Sequence, residues 1–320
     1  MIKILLCILV CLSSLYSDDS YYWKEDYQKA LTAAKESNKS LVLAFLGTNW
    51  CPWSEKLQTD VLLKDSFLKD LKDQAIFIRL DFPEGEQKEE NKRLKEQFTV
   101  VEFPTLVLLD NEQNEIIKLG YMPMQSEEFG TYIKNLLTDW YEIKSADLAK
   151  MDEKQLENLY VKAKGRGFNK FKEDILQYGL TTSPGPFFLM EKYAIFIDNG
   201  KKMKHPEMQE LRKEIVKRDP KNKNGTHLYL AVLDFQVLSN KSKKTYAPQD
   251  VVRPLTEYVK KFGKKDADNL WRVEMMIAQY LFSKRVVQTA VDHAKASFES
   301  APENVKPEIL ETLNYLKNQQ

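Results

Sequence analysis

The most constraining feature of the sequence is a short apolar run that leads directly to a cysteine. Leu41 to Leu46 are six consecutive apolar residues, a length that predicts a buried β-strand. A predicted turn, Gly47-Thr48-Asn49, follows this run, and apolar residues then recur at helical spacing from Leu57 onwards. Cys51 is therefore predicted to lie where a strand gives way to a helix, with Pro52 in the first helical turn.

A cysteine in this position has the setting of a reactive thiol. The free backbone N–H groups and the dipole of a helix N-terminus favour an anion, so they stabilise the thiolate. We therefore expect Cys51 to be partly exposed and functional. The alternative is a buried cysteine that behaves as a small, inert apolar residue.

The beginning of the chain predicts export. Met1 to Lys3 is a short basic start, Ile4 to Leu12 is continuously apolar, and Ser13 to Ser17 is rich in serine. This is the layout of a signal peptide over residues 1–17, and its apolar run is too short to span a bilayer. Its removal would leave Cys51 as the only one of three cysteines in the mature chain, exported to a bacterial periplasm or envelope, or secreted.

Charge and composition argue against several other classes of function. The 48 basic and 47 acidic residues leave a net charge of +1, so no bulk field attracts nucleic acid or an anionic membrane. The three histidines do not form a set with Cys51, and the acidic run Glu84 to Glu96 is interpreted as a solvated helix face. The sequence therefore predicts neither a metal site nor a cofactor.

Two motifs resemble the thioredoxin-fold family. Trp50-Cys51-Pro52-Trp53-Ser54 is similar to its Trp-Cys-x-x-Cys active site, with serine in place of the second cysteine. Val101-Glu102-Phe103-Pro104-Thr105 resembles the loop in which a cis-proline faces the catalytic sulfur.

The predicted elements follow the order of the same family. Strands at 75–81, 106–109 and 116–120 and a helix at about 126–140 complete the order βαβα then ββα. The resemblance covers roughly residues 20–143 and is closest to the secreted, disulfide isomerase-like branch. It implies an α/β thioredoxin fold, with a mixed sheet flanked by helices.

The resemblance also implies roles for individual residues. Cys51 would be the nucleophile, and the Ser54 hydroxyl would hydrogen-bond its thiolate. The residues expected to bind the client protein are Trp50, Pro52, Trp53, Phe103, Pro104 and Thr105. Two alternatives stay open, since the tryptophans could serve simple packing and Pro104 could be an ordinary strand-initiating proline.

Two departures from the family pattern bear on the chemistry. Ser54 cannot resolve a mixed disulfide as a second thiol would. Phe45 stands where thioredoxins usually bury a proton-shuttling aspartate. The expected chemistry is therefore monothiol: Cys51 attacks a client disulfide, and release needs a client thiol or an external thiol reductant such as glutathione.

The second half of the chain predicts a different architecture. Residues 145–320 contain no cysteine and consist mainly of helical patterns broken by glycine and proline. Ala290, Ser297 and Pro302 are spaced as in the second helix of a tetratricopeptide repeat, although no second copy is clear. We predict a thioredoxin-like domain over 18–143 and an all-α domain, a bundle or short solenoid, over 144–320.

Two functions remain open at this point. The first is an exported monothiol oxidoreductase or isomerase whose partners are client proteins with cysteines or disulfides. The second is a redox-silent chaperone or scaffold that binds a partner through its helical domain.

Overall fold

The computed structural model describes residues 23–69, 71–85, 87–241 and 246–318. The predicted signal peptide, residues 1–17, lies outside these ranges. Within them, no helix is both long enough and apolar enough to cross a membrane.

The first half of the chain forms a five-stranded mixed sheet. The strands are β1 (Trp23–Lys24), β2 (Ser40–Leu46), β3 (Ala75–Asp81), β4 (Thr105–Leu109) and β5 (Glu115–Leu119). They lie in the order β1-β3-β2-β4-β5. β3 runs parallel to both β1 and β2, whereas β4 is antiparallel to β2 and to β5.

The position of β2 in the centre of the sheet explains its apolar sequence. β2 lies between β3 and β4, and every one of its residues is buried. A strand covered on both faces requires an uninterrupted apolar run, because neither face meets water. This is why Leu41 to Leu46 show no alternation of apolar and polar residues.

Five helices of the described first half accompany the sheet. They are α1 (Tyr27–Ser37), α2 (Pro52–Leu57), α3 (Asp65–Leu68), α4 (Glu89–Gln97) and α5 (Ser126–Lys144), and α2 continues into a π-helical turn at Gln58–Leu62. The thioredoxin fold is confirmed, and the predicted strands and helices follow one another from β2 onwards, whereas β1, α1 and α3 were not predicted.

Two predicted boundaries were wrong. The acidic segment does not become helical until Glu89, because Pro83 and Gly85, whose φ is +100°, break the preceding chain. The last helix runs beyond Trp140 to Lys144, since Trp140 and Ile143 continue its buried face.

The second half is mostly helical, as predicted. Its helices are α6 (Glu153–Arg166), α7 (Asn169–Thr182), α8 (Phe187–Asp198), α9 (Pro206–Arg218), α10 (Thr226–Lys241), α11 (Pro248–Phe262), α12 (Ala267–Ser283), α13 (Val287–Ser300) and α14 (Lys306–Lys317). Successive helices share apolar clusters: one joins α8, α9 and α10, another joins α10 to α13, and a third joins α12, α13 and α14.

The chain divides into two compact units. The first comprises the chain up to Asp147 together with Leu159–Lys172, and the second comprises Leu148–Asn158 and Glu173–Gln320. In the first unit, Trp140 of α5 packs against Phe168 and Phe171, with ring centroids 5.2 and 4.5 Å apart. The segment Leu159–Lys172 therefore adds to the apolar core beside α5.

Candidate active site

Cys51 occupies the N-cap of α2. Its backbone is extended, with φ −101° and ψ 104°, and Pro52 follows as the first helical residue. The Cys51 N–H donates to the Gly47 carbonyl at 3.0 Å, which closes the turn between β2 and α2. The sulfur is thus held at the positive end of a helix that begins where the central strand ends.

The thiol is less exposed than the sequence led us to expect. Cys51 is a free cysteine with 8% of its surface accessible. Its Sγ donates to the Phe103 carbonyl oxygen at 3.5 Å. The loop before β4 lies directly against the sulfur, and a pattern of apolar residues along the chain cannot reveal such a contact.

The second predicted motif lies beside the first. The Phe103–Pro104 peptide bond is cis, as its motif predicts. Thr105 opens β4, pairs in register with Phe45 of β2, and donates from Oγ1 to the Glu102 carbonyl at 2.8 Å. The structure thus brings Phe103, Pro104 and Thr105 to Cys51 across about fifty residues of sequence.

Ser54 has a partner that the sequence did not indicate. Its side chain is buried, and its Oγ accepts a hydrogen bond from the Gly47 N–H at 3.0 Å. No hydrogen bond joins Ser54 Oγ to Cys51 Sγ among the described residues. In this structure the hydroxyl therefore ties the helix to the preceding turn.

Gly47 is required by close packing. A Cβ atom at this position would lie 2.7 Å from the Trp50 ring and 2.8 Å from Cys51 Cβ. Both atoms belong to the active-site turn and leave no room for a side chain. The glycine thus allows the turn to fold tightly over the end of β2.

The two tryptophans form an exposed aromatic surface beside the sulfur. Trp50 is 45% exposed, donates from Nε1 to the Phe82 carbonyl at 2.6 Å, and contacts the Phe103 ring edge-on at 5.6 Å. Trp53 is 56% exposed and lies 4.9 Å from the Tyr121 ring. Each indole is therefore fixed on one side and open to solvent on the other.

Comparison with known proteins assigns the chain to a family. Residues 27–136 match the family model described as a thioredoxin-like domain. Over 314 residues the chain is 31% identical to the thioredoxin-related protein DsbJ of Chlamydia pneumoniae, which covers 94% of this chain and 89% of that protein. The chain belongs to the thioredoxin-related protein family.

Two further similarities each cover about a third of this thioredoxin-related chain. The disulfide bond reductase DsbH of Chlamydia pneumoniae is 30% identical over 118 residues, which cover 35% of this chain and 71% of that protein. The solved structure of DsbH oxidoreductase is also 30% identical, covers 36% of this chain and 83% of that chain, and has a TM-score of 0.34.

The thioredoxin-related site includes side chains that the sequence motifs did not single out. Tyr121, just after β5, supports Trp53. The Lys95 ammonium lies 5.4 Å from the centre of the Phe103 ring. Neither residue belongs to a recognisable motif. The sequence indicated only that Tyr121 follows the end of β5 and that Lys95 lies near the end of α4.

The interior beneath this thioredoxin-related site is apolar. Phe45 is fully buried and packs against the rings of Phe82 and Phe98, with centroids 6.0 and 6.4 Å away. Among the described residues, no group of three or more histidine, cysteine, aspartate or glutamate side chains is placed to hold a metal ion. The chemistry that the site offers is that of one thiol at a helix N-terminus.

Proposed function

We propose that this protein is an exported monothiol thiol-disulfide oxidoreductase or isomerase that acts on protein cysteines. The observation that carries the proposal is the position of Cys51 at the N-cap of α2, against the loop of Phe103 and Pro104. The relatives named as a thioredoxin-related protein and a disulfide bond reductase support the same class of reaction. The apolar run at 4–12 supports export.

The first chemical step forms a mixed disulfide. Deprotonated Cys51 Sγ attacks one sulfur of a client disulfide, a new sulfur–sulfur bond forms, and the second client sulfur leaves as a thiolate. The helix N-terminus stabilises the attacking thiolate. Opening of the contact between Sγ and the Phe103 carbonyl exposes the sulfur to the client.

The second step depends on a thiol from outside the site. If another client thiolate attacks the mixed disulfide, Cys51 leaves as a thiolate and the client has exchanged one disulfide for another. If external thiols such as glutathione complete the reaction, two of them are oxidised to one disulfide and the client disulfide is reduced. Ser54 contributes no electrons to either route.

The client would bind to the aromatic surface of Trp50 and Trp53. Their exposed indole faces are natural anchors for apolar side chains that flank a client cysteine. Pro52, Phe103, Pro104 and Thr105 shape the edge of the same surface. Trp50 and Phe103 share a ring contact, so a client on this surface would sit directly beside the sulfur.

The burial of the Cys51 thiol favours a second candidate function, a redox-silent chaperone or scaffold. Cys51 is 8% exposed and hydrogen-bonded, and Ser54 has a structural partner. A chaperone or scaffold that binds its partner through the helical domain needs no reactive thiol. The two functions therefore differ in whether capture of clients depends on the sulfur.

Covalent trapping in cells tests the proposal. Tagged wild-type protein and Cys51→Ser are recovered after acid quenching and alkylation, and bound proteins are separated with and without dithiothreitol. We expect adducts that dithiothreitol releases from the wild type and none from Cys51→Ser. Equal recovery of the same partners by both proteins, unaffected by dithiothreitol, would support the redox-silent scaffold.

A further inference from the structure

The second unit contains a cavity of about 850 Å³. Its walls come from α8, α9, α10 and α11, from residues 202–204 before α9 and from Tyr246 before α11. This volume is within the range of sites that bind ligands. None of its lining residues belongs to the first unit.

The charge of the lining is predominantly positive. Five basic side chains face two acidic ones, Asp234 and Glu257. The basic residues are Lys202, Lys204, Arg212, Arg253 and Lys261.

The two acidic groups do not neutralise this excess. Asp234 is buried and forms an ion pair with Arg212 at 2.7 Å. Arg253 has its own partner outside the cavity lining, Asp250 at 3.5 Å. Glu257 is therefore the acidic group that faces the three lysines.

The three lysines are available to a ligand. Lys202 and Lys204 are exposed and make no ion pair within the described parts of the chain. Lys261 is also exposed, and its ammonium lies 4.9 Å from the centre of the Phe262 ring. An ammonium that is not engaged in an ion pair is a ready partner for an incoming anion.

The pKa of His227 is consistent with a positively charged cavity. Its ring lies against Phe262, with centroids 4.4 Å apart, and lines the cavity. Burial lowers the pKa of His227, and the nearby Lys261 ammonium lowers it further. The cavity therefore disfavours an additional positive charge.

The inner wall provides ordered hydrogen-bond donors. Arg212 Nη1 contacts both the Asp234 carboxylate and the Tyr193 hydroxyl, the latter at 3.3 Å. Within the described ranges of the chain, no hydrogen bond engages Nε or Nη2 of this guanidinium. Asp234 holds Arg212 in place in the cavity wall, and a guanidinium with two adjacent donors suits a carboxylate.

The rest of the lining is apolar. Met203, Val237, Leu238 and the half-exposed Tyr246 contribute to the walls. A small inorganic anion would leave this surface and most of the volume unused. A peptide that combines acidic and apolar side chains fits both parts of the lining.

We infer that the cavity between α8, α9, α10 and α11 binds an acidic peptide segment of another protein through Lys202, Lys204, Lys261 and Arg212. The ligand group is a carboxylate, supplied by aspartate and glutamate side chains or by a free C-terminus. Apolar side chains of the same segment occupy the wall of Met203, Val237 and Leu238. This site adds a second contact with a protein partner, separate from the aromatic surface of the first unit.

Fluorescence anisotropy tests the inference with the full-length chain, and the probe contains no cysteine, which excludes capture through a mixed disulfide. The probe is a labelled decapeptide of alternating glutamate and leucine with an amidated C-terminus. Peptides with glutamine or lysine in place of glutamate are the comparison ligands. We expect the glutamate peptide to bind at least about tenfold more tightly than the glutamine peptide.

A matched pair of variants locates the binding. Lys204→Glu with Lys261→Glu should weaken binding of the glutamate peptide about tenfold or more. Lys213→Glu with Lys260→Glu changes the net charge equally on exposed side chains outside the cavity. This control pair should leave affinity within about twofold, since exposed charges away from a site act weakly.

Equal binding of the glutamate and glutamine peptides would overturn the inference, and so would an equal loss of affinity in the two pairs of variants. Displacement of the labelled peptide by inorganic phosphate or an oligonucleotide at a lower concentration than by unlabelled peptide would also overturn it. If charge reversal unfolds the helical unit by circular dichroism, Lys204→Met with Lys261→Met replaces it with the same expected loss. A glutamine peptide with a free C-terminus distinguishes the source of the carboxylate, and tighter binding than its amidated form assigns the site to chain ends.

Discussion

At the scale of single residues, Ser54 has two consequences that can be separated by mutation. Because Ser54 occupies the position of the second cysteine, the site has no resolving thiol. The Ser54 hydroxyl also accepts a hydrogen bond from the Gly47 N–H. The first consequence concerns turnover and the second concerns stability. Different substitutions at this position therefore have different expected results.

Ser54→Cys should accelerate disulfide reduction. A second thiol in this position can attack the mixed disulfide and expel the reduced client, so we expect insulin reduction by dithiothreitol to become at least about tenfold faster. The control is Ser54→Ala, which supplies no thiol and should not accelerate the reaction. An unchanged rate in Ser54→Cys would show that release of the client does not limit turnover.

Ser54→Ala should reduce stability instead. It leaves the Gly47 N–H without its acceptor in a buried turn, which costs about 1–3 kcal/mol in the free energy of unfolding. Urea denaturation measures this loss. Ser66→Ala is a suitable comparison, because Ser66 is part-buried and its hydroxyl bonds another side chain, that of Ser126, so no backbone N–H loses its acceptor.

Gly47→Ala should damage the turn itself. The new methyl group would overlap the Trp50 ring and Cys51 Cβ, and overpacking of this kind costs about 1–3 kcal/mol in unfolding free energy. We also expect slower formation of the mixed disulfide, since Cys51 must shift. Gly165→Ala is the control: it lies in the last turn of α6, and its added methyl would meet no side chain or other segment within 4 Å, so we expect no loss of stability.

At the scale of elements, Asp110 joins the end of β4 to α5. Its carboxylate is fully buried and accepts from the Lys144 ammonium at 2.9 Å and the Trp140 indole N–H at 3.3 Å. Asn114 also donates to it through its backbone and side chain. Burial alone would raise the pKa of Asp110, but the hydrogen bonds from Asn114 and Lys144 outweigh it and hold the pKa below its ordinary value.

The sign of this pKa shift predicts acid sensitivity. Because the folded state holds the pKa of Asp110 below the unfolded value of about 3.9, the unfolded chain takes up the proton first as the pH falls. The stabilising contribution is therefore complete near neutral pH and is lost progressively as the pH falls through 3.9 towards the native value. Urea midpoints measured between pH 7 and pH 3 report this loss.

Asp110→Asn isolates the contribution of this one group. It leaves Lys144 without its buried partner and should cost about 3 kcal/mol in unfolding free energy at pH 7, with a smaller difference from wild type at pH 3. Glu112→Gln is the matched control, since Glu112 also bonds Lys144, at 2.7 Å, but is 64% exposed. That change should cost less than about 1 kcal/mol. A constant difference between wild type and Asp110→Asn across this pH range would contradict the assignment.

At the scale of the whole molecule, the segment Leu159–Lys172 lies beyond the predicted domain boundary at 143 but belongs to the first compact unit. Trp140 packs on Phe168 and Phe171, and Arg166 forms an ion pair with Asp139 at 2.6 Å. We propose that a fragment spanning 18–143 retains the thioredoxin-like fold. These contacts indicate that the segment adds stability to it.

Fragment stability tests this relationship. A fragment spanning 18–172 should unfold at higher urea concentration than one spanning 18–143, because the longer one covers Trp140. In the longer fragment, Phe168→Ala should remove about 3–5 kcal/mol of unfolding free energy, since Phe168 is almost fully buried. Equal stability of the two fragments would show that the segment contributes nothing to this fold.

The sequence by itself determined the features that depend on local pattern. The apolar run Leu41 to Leu46 specified a strand buried on both faces, and the Cys51-Pro52 pair specified a helix start, because strand burial and helix capping are properties of neighbouring residues. Helical periodicity beyond Trp140 likewise sufficed to predict an all-helical second half.

Only the tertiary structure decided how distant groups meet. The contact of the Phe103 carbonyl with the sulfur, the support of Trp53 by Tyr121, and the pairing of Asp110 with Lys144 join residues 30 or more positions apart. The basic cavity likewise combines side chains from four helices and from the segment before α9, none of which carries a motif. Burial and hydrogen-bond partners depend on the packing of whole elements, and one-dimensional periodicity carries no information about which side chains will meet.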